Sequence, residues 1–209
     1  TDQVVALTTA QASALSTTAI AAMSPSQITS IAIDDFAKLT TSAIRAIGNS
    51  AVAVLTTTQV ASMTTDQVQA LSTLQMQQLT ANQVTALTTA QAAALTSAQV
   101  SVMSSAQVAG FETADIAAMS TNAVASLTAN QVKALSTAQL VALTTAQTAS
   151  LTTAQVGNLS ATQVASMETA DVAALTTAQI QAVTTAAVSG LSTAQVVALT
   201  TTQVEDRKS

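Results

Sequence analysis

The sequence predicts an all-α fold, a solenoid of about twenty-six short capped helices with one helix per eight-residue repeat. Three observations predict it: two apolar registers of period eight, a polar capping signal placed between them, and the positions taken by the few residues of special backbone or charge. The array fills residues 1–204 as one continuous unit and leaves a charged C-terminal end at 205–209.

The first apolar register runs Leu7, Leu15, Met23, Ile31, Leu39 and onward to Leu199, and all 25 of its positions are large and apolar. The second runs from Val4 to Val204 and is large and apolar in 23 of 26 places, the exceptions being Ala12, Ala92 and Thr148. The unit is therefore [Ser/Thr]-Thr-Ala-Gln-Val-x-Ala-Leu. A continuous α-helix turns by about 100° per residue, so an octad overshoots two turns by roughly 80° and its stripe would wind around the helix. A strand would send Val and Leu, three residues apart, to opposite faces. A helix that restarts every eight residues keeps them on one side.

Ser or Thr follows the recurring Leu at 21 of 25 positions, and Gln or Asp stands three residues later in 21 of 26 units. This is a capping box. The hydroxyl accepts the N–H three residues on, and the Gln side chain reaches back to the N–H of the cap residue. In Thr88-Thr89-Ala90-Gln91 the cap is Thr88, and Thr89 points outward. The Leu before each cap and the apolar residue four after it, such as Leu95 with Val100, complete a hydrophobic staple.

Residues that played no part in defining the register agree with it. Pro25 falls on a first helical position, where its missing N–H costs least. Acidic residues gather at caps and first turns, and Lys38, Arg45 and Lys133 fall in the back halves of units, as the helix dipole favours. Gly48 replaces a cap residue, while Gly110, Gly157 and Gly190 fall where helices end. The residue before each recurring Leu is Ala, Ser or Gly in 20 of 25 units, which lets neighbouring helices approach closely. Such units share a core only by stacking, as in repeat arrays generally. The number of octads per coil is open from sequence; three or four would give about seven to nine coils, each about 10 Å thick.

Composition limits the chemistry. The chain has no His, Cys, Trp or Tyr, 7% charged residues and a net charge of −5. His- and Cys-based nucleophiles, the usual zinc sites and Gly-rich phosphate loops are absent, and no basic surface offers itself to nucleic acid. No apolar run approaches the roughly 18 residues of a membrane span. We therefore expect no enzyme activity, no catalytic, cofactor-binding or metal residues, no cofactor and no membrane insertion. The carboxylate pairs Glu112/Asp115 and Glu168/Asp171 form the one constellation with oxygen-ligand potential. They, and Asp34-Asp35, read as acidic helix starts. Met23, Met63, Met103, Met119 and Met167 stand in for Leu in the core register.

Stretches such as Leu-Ser-Thr-Ala-Gln-Val-Val-Ala-Leu at 191–199 invite two comparisons. The first helix of TAL-effector repeats is similar, but the longer repeat, base-reading loop and basic superhelix of that family are missing here. Over its whole length the chain resembles the Leu-Thr-Thr-Ala-Gln-Val octapeptide arrays within very large bacterial secreted or surface proteins, many of them adhesin-like. That resemblance implies an extracellular or cell-surface stalk, spacer or filament whose partners are other copies or neighbouring repeats, end to end. The alternative is a binding module whose Thr/Gln surface engages ice, glycan or peptide.

Overall fold

The computed structural model describes residues 2–205, with side chains described for 3–204; Thr1 and residues 206–209 of the charged end lie outside the described residues. Among the described residues it contains 26 short α-helices and no strand, from Asp2–Val5 to Thr201–Glu205, in a repeated solenoid arrangement. Each is four to six residues long, far below the ~12–15 residues at which an isolated helix becomes marginally stable. Both ends of every helix must therefore be held by something outside its own backbone ladder.

The N-terminal ends are held as the octad pattern predicts. Thr64 is extended (φ −72°, ψ 161°), its hydroxyl accepts the Gln67 N–H at 3.2 Å, and the Gln67 Oε1 accepts the Thr64 N–H at 2.8 Å. The same reciprocal pair recurs along the array, with Pro25 at a first helical position after Ser24. Where the third helical residue is Ala, as in Thr41–Ala46 and Thr121–Ala125, the hydroxyl still caps but nothing reaches back. Ala32, Gly48 and Glu168 occupy cap positions without a side-chain bond, and at Glu112 the bond is the one that reaches back from Asp115.

The chain leaves each helix through an αR residue or directly into an extended residue of the Leu register, such as Met23 or Leu135, and among the described residues none adopts a positive φ. The glycines are thus not left-handed helix stops. Gly110 and Gly190 are there for space: a Cβ would stand 2.9 Å from the Ala81 carbonyl oxygen in the first case and 2.7 Å from that of Ala161 in the second. The small residue before Leu is where coils touch backbone to backbone.

Packing follows a fixed step. The principal helix–helix contacts join each helix to the one three units along, for example Thr89–Ala93 to Thr113–Ala118 and Thr153–Gly157 to Thr177–Ala182. Hydrogen bonds also cross to helices four units away, as Gln59 in Thr57–Ser62 does to Pro25–Thr29. A coil therefore holds between three and four octads. Both apolar registers face one continuous core, in which Ile28, Val60, Val84 and Val132 are wholly inaccessible and the Leu register lies just outside them. Ala12, Ala92 and Thr148, the three smaller residues of the inner register, are buried as well.

One sequence expectation needs correcting. Thr89 does not simply face solvent, since its hydroxyl donates to the Asp115 carboxylate at 2.9 Å, one coil away. Thr65, at the equivalent position of its own octad, is exposed. Thr64→Ala should therefore cost about 0.5–2 kcal/mol through the lost cap acceptor, and Thr65→Ala should be nearly neutral in urea unfolding. Equal losses would contradict the assigned helix start.

Candidate functional site

The most specific chemistry of the fold is a ladder of buried glutamines at the third helical position. A carboxamide carries one acceptor oxygen and two N–H donors, and the array uses both ends. While Oε1 of Gln91 accepts the Thr88 N–H at 2.7 Å, Nε2 donates to the carbonyls of Val60 at 3.0 Å and Met63 at 2.6 Å. Gln75 does the same with Ile44 and Ile47, Gln99 with Val68 and Leu71, and Gln195 with Val164 and Met167. The carbonyl 28 residues earlier is a partner throughout, and it is joined by the one 31 residues earlier, as in these four, or by the one 30 residues earlier, as for Gln179 and Gln203. Since 28 residues are three and a half octads, each amide stands above the C-terminal end of a helix in the coil below.

Both carbonyls mark the exit of a helix. The Val-register C=O already accepts the N–H of the Leu-register residue three positions on, as Val60 does from Met63 at 3.2 Å, and the amide is its second donor. The Leu-register C=O, such as that of Met63, has the amide as its donor, and without it would carry the penalty of an unpaired polar group in an apolar setting. The glutamine thus closes the N-terminal end of its own helix and the C-terminal end of another. No buried side-chain nitrogen or oxygen among the described residues lacks a partner.

Sequence reasoning found the back-reaching half of this bond and missed the downward half. A signal was present: a capping box accepts Glu as readily as Gln, yet this chain has Gln, Asp or Ala at that position and never Glu. A carboxylate one methylene longer than Asp would face two carbonyl oxygens at a helix C-terminus, where negative charge is disfavoured.

Asp35, Asp115 and Asp171 occupy ladder positions and are buried. Asp115 Oδ2 accepts the Glu112 N–H at 3.2 Å, and the other carboxylate oxygen takes the Thr89 hydroxyl 26 residues back. Asp171 is bonded to Thr145 at the same 26-residue spacing. The structure thus brings each pair's Asp to a threonine one coil away. Among the described residues no group of three acidic side chains gathers where it could hold a metal ion, and no helix is long and apolar enough to cross a membrane. Burial raises the Asp171 pKa above the ordinary carboxylate value, the Thr145 hydroxyl opposes that shift, and Glu168 adds to it.

The repeat found here corresponds to a described family. Its sequence model, the ALTTAQ repeat, matches at residues 28–65, 60–97, 108–145, 132–161 and 164–201, which together span most of the chain. The protein belongs to the ALTTAQ repeat family. No curated protein and no solved structure matches the chain. Within the ALTTAQ unit, the final Gln is the residue that joins successive coils, and Ala-Leu supplies the close approach and the outer core register.

Two predictions follow from the ladder. Gln91→Glu keeps the oxygen that Thr88 needs but turns the amide into a carboxylate facing Val60 and Met63. It should cost at least about 2 kcal/mol in chemical unfolding. Gln11→Glu, whose side chain is exposed and bonds only to Thr8, should be close to neutral. Similar costs at both sites would show that the amide bonds between coils carry no stability.

The second concerns acid. Because the folded pKa of Asp171 lies above its unfolded value, its ionised form lowers stability at neutral pH. That loss is relieved as pH falls through the folded value, and is gone below the unfolded one. Asp171→Asn should thus be more stable than the parent at pH 7, and its advantage should vanish near pH 3 in paired thermal scans. A difference that grows on acidification would mean the carboxylate is stabilised in the fold.

Proposed function

We propose that this chain is a non-enzymatic structural module, a spacer, stalk or filament-forming solenoid of a secreted or cell-surface bacterial protein. The observation that supports it most is the identical rung repeated between coils, Gln to the carbonyls 28 and 31 residues back. A rule that refers only to the previous coil sets no limit on length, so octads add rod without redesign, in the manner of other solenoids. The resemblance to octapeptide arrays of large surface proteins supports the extracellular setting. Its partners in this reading are neighbouring repeats or further copies, joined end to end.

A second reading draws on the outer surface. Thr57, Thr65, Thr73, Thr121, Thr137 and Thr153 all sit exposed at first helical positions, and such hydroxyls suit contact with ice or glycan. The same residues also serve solubility in a chain with few charges, and the spacer reading explains the core and ladder as well.

Removing seven whole octads, residues 128–183, takes out about two coils and preserves every cap, staple and rung position across the junction. The shortened protein should fold and give rods about 20 Å shorter by electron microscopy. Deleting only residues 128–131 removes a cap and its box and places Leu127 directly before Val132. That four-residue variant should be the less stable of the two on heating. If the four-residue deletion is tolerated and the octad deletion unfolds the protein, the spacer reading fails; a parent that inhibits ice growth or retains glycan would favour the second reading.

A further inference from the structure

The amide ladder is interrupted at defined places, and the largest interruption isolates one coil. Three successive ladder positions carry Asp35, Ala43 and Ala51 in place of Gln. An amide at residue 43 would reach the carbonyls of residues 12 and 15, and one at residue 51 those of residues 20 and 23. Neither exists, and among the described residues no side-chain hydrogen bond joins residues 3–23 to the next coil; apolar burial through Val4, Ala12 and Ile20 holds them. On the other side of this joint the rungs are unbroken, with Gln59, Gln67, Gln75 and Gln83 all tied to the coil below. A smaller interruption lies at Asp115 and Ala123. There Leu87 and Leu95 receive no amide, and the Thr89–Asp115 bond and the Thr85 hydroxyl donating to the Gly110 carbonyl at 2.8 Å stand in.

Every bond between coils spans 25 to 31 residues, as with Arg45 Nε on the Ala70 carbonyl and Gln59 Nε2 on that of Ile28. Among the described residues no side-chain hydrogen bond and no principal helix–helix contact bridges two coils over a third. Load applied along the rod is therefore carried by the joints in series, each feeling the whole force, and the loss of one leaves the others intact. A detached coil cannot persist as helices, because its four- to six-residue segments lose the neighbours that bury them. It must run out as extended chain.

We propose that the array is an extensible element, which lengthens under axial tension one coil at a time, beginning at the joint between residues 4–24 and 35–51 where the amide ladder is absent. The inference rests on the spacer reading, but it asks more of the rod than length. A rod of the expected dimensions that does not extend stepwise would sink this proposal and leave the spacer standing.

The experiment is single-molecule pulling of the full 209-residue chain through handles at its two ends. The expected trace is a series of steps, each releasing about 80–90 Å, the extended length of some 28 residues less the thickness of one coil. The first step should come at lower force than the rest. In Ala43→Gln/Ala51→Gln, which restores two rungs, that early step should move up into the range of the others. In Gln147→Leu/Gln155→Leu, which opens a new gap where the parent has unbroken rungs, one further low-force step should appear. A single rip of the whole chain overturns the proposal, as does a first step whose force is unchanged when the rungs are restored or a trace without the added step when they are removed.

Discussion

A helix of five residues has more unpaired backbone groups than paired ones, so an array of twenty-six such helices can exist only if each end finds a partner that is not water. The glutamine at the third helical position meets this demand for both ends at once. Its oxygen closes the helix it belongs to, and its nitrogen closes a helix in the coil below. The 28- and 31-residue offsets set the pitch of the superhelix, since only a coil of about three and a half octads brings an amide over two exit carbonyls. The size of the coil follows from one bond pattern.

The apolar core supplies the greater part of the driving force but little of the specificity. Val, Ile, Met, Leu, Phe, Ala and even Thr148 are accepted in the inner register, so the spine demands apolar bulk and tolerates its shape. The ladder is less permissive. It admits Gln, omits the bond where Ala stands, and at Asp115 and Asp171 gives the carboxylate a threonine hydroxyl 26 residues earlier in place of the rung. Uniform rungs make a uniform rod, and the gaps make particular joints different from the rest.

This division of labour fits a module whose property is extent. Its chemistry is spent on holding one coil to the next, and the outward positions carry Thr, Ser and Ala in place of charge. Membership in the ALTTAQ repeat family places the same unit at the centre of the molecule: Ala-Leu for contact, Thr-Thr for the helix start, Ala-Gln for the joint.

The sequence by itself determined where each helix begins and which residues enter the core. Both are local: Thr64 and Gln67, or Leu95 and Val100, lie within one octad or across one boundary, so their spacing along the chain is their spacing in space. It also placed Pro25 and the acidic helix starts. The size of the coil, the second half of the Gln bond, the partnership of Thr89 with Asp115 and the reason for Gly110 were decided by tertiary structure. Each depends on a backbone atom or hydroxyl 25 to 31 residues away, and in a repeat of period eight every octad offers the same carbonyls to every amide. The sequence holds the donors and the acceptors; only the angle turned between successive helices decides which carbonyl lies beneath which glutamine.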